Sequence, residues 1–288
     1  MLLEVRNLHT SFFTDSGETK AVNGVSFSLE KGKTLGLVGE SGSGKTVTAL
    51  SIIRLLSPSA KILQGKIIYK GKDLLLYSEE EMRRIRGREI AFIFQEPMSA
   101  LNPVFTIGEQ ILEAVKLHKK VEPLGSINRG SLLSRNLNAK SRDFCEGIKT
   151  KEAVEEVANL LDKVGICPGK ERMKDYPHSL SGGMRQRVLI AMALACSPSL
   201  IIADEPTTAL DVTIQAEILE LIDKLKAENS LTMLLITHDL GVVAEHVDNV
   251  AIMRKGEIVE YASVEDLFSE PKHPYTKMLL DSIPRIEE

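Results

Sequence analysis

The stretch Gly39-Glu40-Ser41-Gly42-Ser43-Gly44-Lys45-Thr46 matches the pattern GxxxxGK followed by Ser or Thr, and it decides the fold. It follows Thr34–Val38, which predicts a strand, and precedes Val47–Leu56, which predicts a helix. The glycines let the backbone curl so that several N–H groups point at one polyphosphate, and the start of the helix adds positive potential. Lys45 can reach the β- and γ-phosphates, and the Thr46 hydroxyl can bind Mg²⁺. The stretch therefore predicts a binding site for ATP.

A second group of polar residues follows a predicted buried strand. Leu200–Ala203 is apolar and leads directly into Asp204 and Glu205. Ligands of open parallel sheets bind at the carboxyl ends of the strands, so we expect Asp204 to face Mg²⁺. Glu205 is then placed to polarise an attacking water as general base. The alternative is that Asp204 and Glu205 form a solvated acidic loop, which the nearby phosphate loop makes the weaker interpretation. The two carboxylates together favour a hydrolase over a kinase, because a hydrolase has to activate a water.

Short apolar strands alternate with helices over most of the chain, which predicts a largely parallel α/β sheet. Between about Pro97 and Pro177 helical patterns dominate, and this indicates an inserted helical subdomain. Within it, Glu122–Thr150 is rich in Ser, Asn, Gly and Arg and predicts a surface loop. Further strands are predicted at Leu2–Leu8, Ser11–Phe13, Val25–Leu29, Lys66–Tyr69, Ile90–Phe94, Leu231–Ile236, Asn249–Met253 and Glu257–Glu260, and further helices at Ile107–Leu117, Lys151–Val164, Gly183–Cys196, Val212–Glu228 and Leu240–His246.

The composition excludes several classes of protein. The 288 residues carry a net charge of -4, whereas a nucleic-acid-binding protein is usually basic. The longest apolar run, Val188–Cys196, is about half of the ~18–20 residues that a membrane span needs. The first residues show no signal-peptide pattern, and the three cysteines are scattered, as in a protein of a reducing compartment. We expect a protein that is not itself transmembrane and that has no nucleic-acid partner.

The stretch Leu180-Ser181-Gly182-Gly183-Met184-Arg185-Gln186-Arg187 places a serine and two glycines directly before a predicted helix. It predicts a second anion-binding helix N-terminus, with no lysine of its own; the plainer interpretation is an ordinary N-cap. The stretch resembles the signature sequence of ABC-type ATPases. Such a site suits the γ-phosphate of a nucleotide that another subunit holds.

Other residues match the pattern of that family in its usual order. Gln95 resembles the Q-loop glutamine, Ala209-Leu210-Asp211 resembles the D-loop, and His238 resembles the switch histidine. Phe12 resembles the aromatic residue that stacks on adenine. Phe13 is its competitor, because adjacent strand residues point to opposite faces.

The resemblance implies a role for each matched residue. Glu205, His238 and Gln95 would be catalytic, and Thr46, Gln95 and Asp204 would hold Mg²⁺. Two ATPase subunits would meet head to tail, so that the phosphate loop of one faces the signature of the other. The implied contacts to ATP are Phe12, Val22, Gly39, Ser41, Gly42, Ser43, Gly44, Lys45, Thr46, Thr48, Ser181, Gly182, Gly183, Gln186 and Asp211.

The fold that the resemblance implies is α/β. It is a P-loop NTPase core, a mainly parallel sheet flanked by helices, with an N-terminal antiparallel β-subdomain and an inserted α-helical subdomain. Within one ABC nucleotide-binding domain, we expect the RecA-like core with its antiparallel part at 1–96 and 188–260. The helical signature subdomain is expected at 97–187 and a family-specific tail at 261–288.

Three stretches point to a narrower group. Phe94–Pro103, Asp204–Thr213 and His273–Thr276 are similar to segments of the ATP-binding subunits of dipeptide and oligopeptide importers. That resemblance implies an ATPase that powers peptide import from the cytoplasmic face of the membrane, peripherally bound. Its partners would be transmembrane permease subunits, a second ATPase subunit and, indirectly, an extracytoplasmic substrate-binding protein. Members of this group commonly continue into a Cys-rich tail that can hold an iron–sulfur cluster. The given sequence, to Glu288, does not contain the cysteines of such a tail.

Several alternatives stay open. The related nickel importers share much of the pattern, so nickel or another small solute is the alternative cargo. A soluble ABC ATPase that acts on DNA or ribosomes would usually carry tandem cassettes or a long coiled coil, and a nucleotide-gated partner without catalysis would usually lack Glu205 or His238. Both residues are present here. The pairing of two ATPase subunits is either homodimeric or heterodimeric, and the family favours the latter.

Overall fold

The computed structural model describes residues 1–15, 17–119, 150–208 and 210–282. The chain forms two compact units, one of Met1–Glu96 with Pro198–Glu288 and one of Pro97–Ser197. The predicted loop at Glu122–Thr150 lies outside the described residues except for Thr150, which begins a helix. The predicted boundaries of the helical signature subdomain at residue 187 and of the family-specific tail after residue 260 stay predictions.

The strands are β1 (Leu3–Thr14), β2 (Gly17–Leu29), β3 (Thr34–Val38), β4 (Ala60–Tyr69), β5 (Lys72–Asp73), β6 (Ile90–Ile93), β7 (Leu200–Asp204), β8 (Thr232–Thr237), β9 (Asn249–Arg254) and β10 (Glu257–Ser263). The helices are α1 (Lys45–Ile52), α2 (Glu79–Ile85), α3 (Pro97–Ala100), α4 (Ile107–Lys119), α5 (Thr150–Lys163), α6 (Gly169–Arg172), α7 (Gly182–Leu194), α8 (Val212–Asn229), α9 (Leu240–His246), α10 (Val264–Ser269) and α11 (Pro274–Asp281).

The larger sheet of the first unit has six strands in the order β10-β9-β3-β8-β7-β6. All pairs are parallel except β9 with β10, and this confirms the predicted, largely parallel sheet. All residues of β3, β7 and β8 are buried, which explains why these strands read as continuous apolar runs. Lys255 and Gly256 both have positive φ and form the turn of the β9–β10 hairpin.

The smaller sheet is antiparallel, in the order β2-β1-β4-β5. The sequence predicted two strands at Leu2–Leu8 and Ser11–Phe13, and this was wrong, because β1 runs without a break. Its pairing with β2 shifts register after Val5, Leu8 and Thr10, so β-bulges absorb the residues that interrupt the alternation. The side chains of both sheets contribute to one buried apolar cluster.

The second unit is helical in its described part. It contains α3 to α7, of which α4, α5 and α7 are the longest. The side chain of Ser181 accepts a hydrogen bond from the main-chain N–H of Met184 and thereby caps α7. No helix among the described residues is both long and apolar enough to cross a membrane.

Candidate functional site

The loop between β3 and α1 is shaped by glycines that no other residue could replace without movement. Gly39 and Gly44 have φ values of +159° and +101°. A Cβ on Gly39 would lie 2.1 Å from the carbonyl oxygen of Met253, and one on Gly44 would lie 2.3 Å from that of Ala21. The neighbouring strands therefore pack directly on the loop backbone and leave no room for a side chain at these two positions.

Lys45 projects into this loop. Its Nζ donates to the main-chain oxygens of Gly39 (2.7 Å) and Glu40 (2.9 Å), and the residue is only 5% exposed. Burial lowers the pKa of the Lys45 ammonium, and the charges of Glu205, Asp204 and Glu40 oppose that shift. A buried cation of this kind is stabilised by further negative charge, so the loop suits a phosphate group.

Asp204 ends β7 beside the same loop and meets the requirements of a cation ligand. It is 3% exposed, and its Oδ1 has no hydrogen-bond partner in the part of the chain that the structure describes. Burial raises the pKa of the Asp204 carboxyl, while the Thr46 hydroxyl and Lys45 oppose the shift. A buried carboxylate with a free oxygen and a neighbouring hydroxyl are ligands that Mg²⁺ accepts. No group of three or more His, Cys, Asp or Glu among the described residues could hold a metal, so water and phosphate oxygens would complete the coordination.

Glu205 is the centre of a hydrogen-bonded cluster. Its Oε2 accepts from Gln95 Nε2 (3.0 Å) and Thr208 Oγ1 (2.8 Å), and its Oε1 lies 3.2 Å from His238 Nδ1. The side chain of Glu205 is 14% exposed, whereas that of His238 is 57% exposed. Glu205 has a φ of +45°, an uncommon and strained conformation for a side-chain-bearing residue, of the kind that is concentrated at functional sites.

A cavity of about 720 Å³ joins the phosphate loop to Gln95, Glu205 and His238, and Asp204 is not among its lining residues. Most of the predicted residues of the first unit line it: Phe12, Gly39, Ser41, Gly42, Gly44, Lys45, Thr46, Gln95, Glu205 and His238. Phe12 pairs with Thr19 across the β1–β2 hairpin, and both line the cavity. Phe13 points away from it and carries Lys61 Nζ at 5.7 Å from its ring centroid. The strand register therefore favours Phe12 over Phe13.

Three predicted contacts do not line this cavity. Val22 is 1% exposed and faces the core, because it follows Ala21, which lines the cavity, and strand side chains alternate. Thr48 is fully buried and donates to the carbonyl oxygen of Gly44 at 2.9 Å. The Ser43 hydroxyl is buried inside the loop and has no partner among the described residues.

The remaining predicted contacts lie elsewhere. Ser181, Gly182, Gly183 and Gln186 belong to the helical unit. Gln186 is 1% exposed, and its amide atoms have no hydrogen-bond partner among the described residues, so its contact to ATP stays a prediction. Asp211 caps α8 by accepting a hydrogen bond from the N–H of Ile214 at 3.0 Å.

Sequence reasoning missed several residues of the site. Thr208 was included only within the longer stretch Asp204–Thr213 and was given no role. It lies three residues after Glu205, and its hydroxyl donates a hydrogen bond to the Glu205 carboxylate. Nothing in the sequence pattern indicated that α9 and α11 would contribute Leu240 and Leu279 to the cavity. Both residues approach through tertiary packing.

Comparisons with known proteins agree with this geometry. The family model described as "ABC transporter" matches residues 22–208, and the model "Oligopeptide/dipeptide transporter, C-terminal region" matches 259–288. The chain is 50% identical over 287 residues to the dipeptide transport ATP-binding protein DppD of Bacillus subtilis, with 99% of this chain and 78% of that protein covered. It is also 50% identical over 287 residues to the oligopeptide transport ATP-binding protein AppD of the same organism, covering 99% and 79%. The solved structure of MJ0796, a bacterial ABC transporter cassette, has a TM-score of 0.74 and 24% identity, with 91% of this chain and 99% of that one covered, which shows a shared fold.

Proposed function

This chain belongs to the ABC transporter family, and we propose that it is the ATP-hydrolysing subunit of an importer for dipeptides or oligopeptides. The observation that supports hydrolysis most strongly is the position of Glu205. Its carboxylate is held by Gln95 and Thr208 and opens into the cavity that the phosphate loop lines. A general base has to be within reach of the reacting water and fixed in orientation, and this cluster supplies both conditions.

Different residues of the chain bind ATP and activate the attacking water. The N–H groups of Gly39–Thr46 and the ammonium of Lys45 bind the phosphates, and Phe12 stacks on the base. Glu205 takes a proton from the attacking water, while Gln95 keeps its carboxylate oriented. His238 stands at the opposite oxygen of Glu205, where it can contact the γ-phosphate.

Thr46, Asp204 and Gln95 would hold Mg²⁺. Asp204 Oδ1, which has no partner in the described part of the chain, and the adjacent Thr46 hydroxyl fit such an ion. When bound, Mg²⁺ neutralises charge on the phosphate oxygens. The protein's contribution is to keep the two oxygen ligands buried beside the phosphate loop.

The site is completed by a second ATPase subunit. In the proposed dimer, Ser181 and Gly183 at the start of α7 cap the γ-phosphate of the nucleotide bound to the partner. The helix N-terminus without a lysine supports this role, because it supplies N–H groups and positive potential to a phosphate already held by a lysine elsewhere. The dimer would sit at the cytoplasmic face of the membrane on two permease subunits, which receive substrate from an extracytoplasmic binding protein.

Peptide is the proposed cargo because two relatives at 50% identity are named for dipeptide and oligopeptide transport, and because residues 259–288 match the C-terminal model of that group. Nickel or another small solute is the alternative. Uptake of a radiolabelled dipeptide and of radioactive nickel by cells with and without this gene would decide between them. Loss of nickel uptake with unchanged peptide uptake would overturn the peptide proposal.

Phosphate release tests the hydrolytic role. The variant Glu205→Gln should bind ATP with wild-type affinity and lower kcat by about 10²–10⁴-fold, because the amide cannot accept the proton from water. Glu228→Gln is a matched control, since Glu228 is exposed at the end of α8. An unchanged kcat in Glu205→Gln would remove Glu205 as the base. The rate per subunit should also rise with protein concentration, and a rate independent of dilution would contradict the dimeric site.

A further inference from the structure

The C-terminal helix α11 packs behind the phosphate loop. Its Tyr275 is 3% exposed and lies in a buried cluster with Val38 and Leu240, both of which line the nucleotide cavity. The Tyr275 hydroxyl accepts a hydrogen bond from the main-chain N–H of Glu40 at 3.4 Å. Helix α11 is thereby held against the first residues of the loop Gly39–Thr46.

Two further contacts fix the position of α11. The guanidinium carbon of Arg254 lies 4.6 Å from the centroid of the Tyr275 ring, a cation–π contact from the end of β9. The Glu260 carboxylate accepts hydrogen bonds from the main-chain N–H groups of Lys272 (2.8 Å) and His273 (3.0 Å). The start of the helix and its first turn are both anchored, so the residues one turn later have a defined position.

Leu279 follows Tyr275 by four residues and lies on the same face of the helix. It lines the nucleotide cavity and is only half-buried. Val38 and Leu240 also line the cavity, but they are 1% and 5% exposed and have little surface left for a ligand. Leu279 joins Phe12 among the apolar lining residues that keep such surface.

We propose that Leu279 contacts the nucleoside part of bound ATP, so that the C-terminal helix forms one wall of the nucleotide site. The proposal rests on the proposed function, because it takes ATP as the ligand. The phosphates require the N–H groups and the ammonium of the loop, whereas the carbon atoms of base and ribose gain from contact with apolar surface. Leu279 offers that surface from an element that lies more than two hundred residues away in sequence from Phe12.

The test compares two ligands that share the phosphates and differ in the nucleoside. Affinities for ATP and for inorganic tripolyphosphate are measured by competition with a fluorescent ATP analogue. Leu279→Ala should weaken ATP binding by about 3–10-fold, because part of an apolar contact is lost, and should leave tripolyphosphate binding unchanged. Leu279→Met, which conserves volume and apolar character, should keep ATP affinity. Met278→Ala is the control on the same helix, since Met278 is 51% exposed and does not line the cavity.

The outcomes are distinguishable. Unchanged ATP affinity in Leu279→Ala overturns the proposal. So does an equal loss for ATP and tripolyphosphate, or an equal loss in Met278→Ala, because each would indicate a general disturbance of α11. A wild-type chain that does not bind ATP overturns the proposed function together with this inference, whereas a wild-type chain that binds ATP and an unaffected Leu279→Ala variant overturn the inference alone.

Discussion

Two glycines of the phosphate loop differ in their surroundings, and the difference predicts the effect of adding one methyl group to each. Gly44 has a φ of +101° and Gly42 a φ of +78°, where alanine is strained by about 1–2 kcal/mol. No heavy atom of the described residues lies within 4 Å of a Cβ built on Gly42. A Cβ on Gly44 would lie 2.3 Å from the carbonyl oxygen of Ala21, so the main chain would have to move.

The magnitude follows from these two terms. Overpacking in a well-packed region costs about 1–3 kcal/mol beyond the backbone strain. We therefore expect Gly44→Ala to lower the free energy of unfolding by about 2–5 kcal/mol and Gly42→Ala by about 1–2 kcal/mol. At about 2–4 °C per kcal/mol, the Tm of Gly44→Ala should lie about 2–12 °C below that of Gly42→Ala.

Thermal unfolding followed by circular dichroism measures this difference in Tm. An ATP titration of the same samples shows whether the added methyl group has distorted the phosphate loop locally without lowering the stability of the whole fold. Gly32→Ala is the control that measures the backbone strain alone. Gly32 also has a φ of +78° and no described heavy atom within 4 Å of a built Cβ, but it lies in a turn outside the phosphate loop. Equal Tm values and equal ATP affinities in Gly44→Ala and Gly42→Ala would refute the reasoning.

Three further predictions use the same site and one distant pair. Lys45→Ala should abolish measurable ATP affinity, because the loop loses its only side-chain cation; an unchanged titration would contradict the role of Lys45. Phe12→Ala should raise the KM for ATP by about tenfold, from a stacking contact of about 1–1.5 kcal/mol, and Phe13→Ala should not; the reverse result would place the strand register one residue off. Hydrogen bonding to Asp223 raises the pKa of His246 above its ordinary value of 6.5, so this pair stabilises the fold below about pH 6.5, and its contribution is lost as the pH rises through the raised pKa. Asp223→Asn should remove that part of the pH dependence of Tm, and an unaltered profile would exclude the pair as its source.

Local patterns predicted much of the framework. The strand Thr34–Val38 and the helix Leu240–His246 were predicted with their observed bounds. The strand is a buried apolar run that ends at a glycine, and the helix begins after Asp239, whose side chain caps it. Helix α2 also begins with a local signal, the capping box that Ser78 forms with Glu81. Such signals depend on residues within one turn of each other, so they can be read without the fold.

The candidate site was predicted in part for the same reason. The phosphate loop is contiguous in sequence, and the carboxylates Asp204 and Glu205 follow a recognisable strand. The contacts at Gln95 and His238 came from resemblance to a family and not from the residues themselves. Their functional roles, and that of the signature residues in the helical unit, stay predictions that the variants above would test.

The sequence by itself determined the phosphate loop, the acidic end of β7 and the parallel α/β class, because each is encoded by neighbouring residues and by hydrophobic periodicity. Only the tertiary structure decided that Phe12 and not Phe13 faces the cavity, since β-bulges set the register of β1. It also placed Val22 and Gln186 in buried positions, joined Thr208 to Glu205, and brought Leu279 from the C-terminal helix to the nucleotide cavity. These arrangements depend on which faces of distant elements pack together, and no local pattern of residues carries that information.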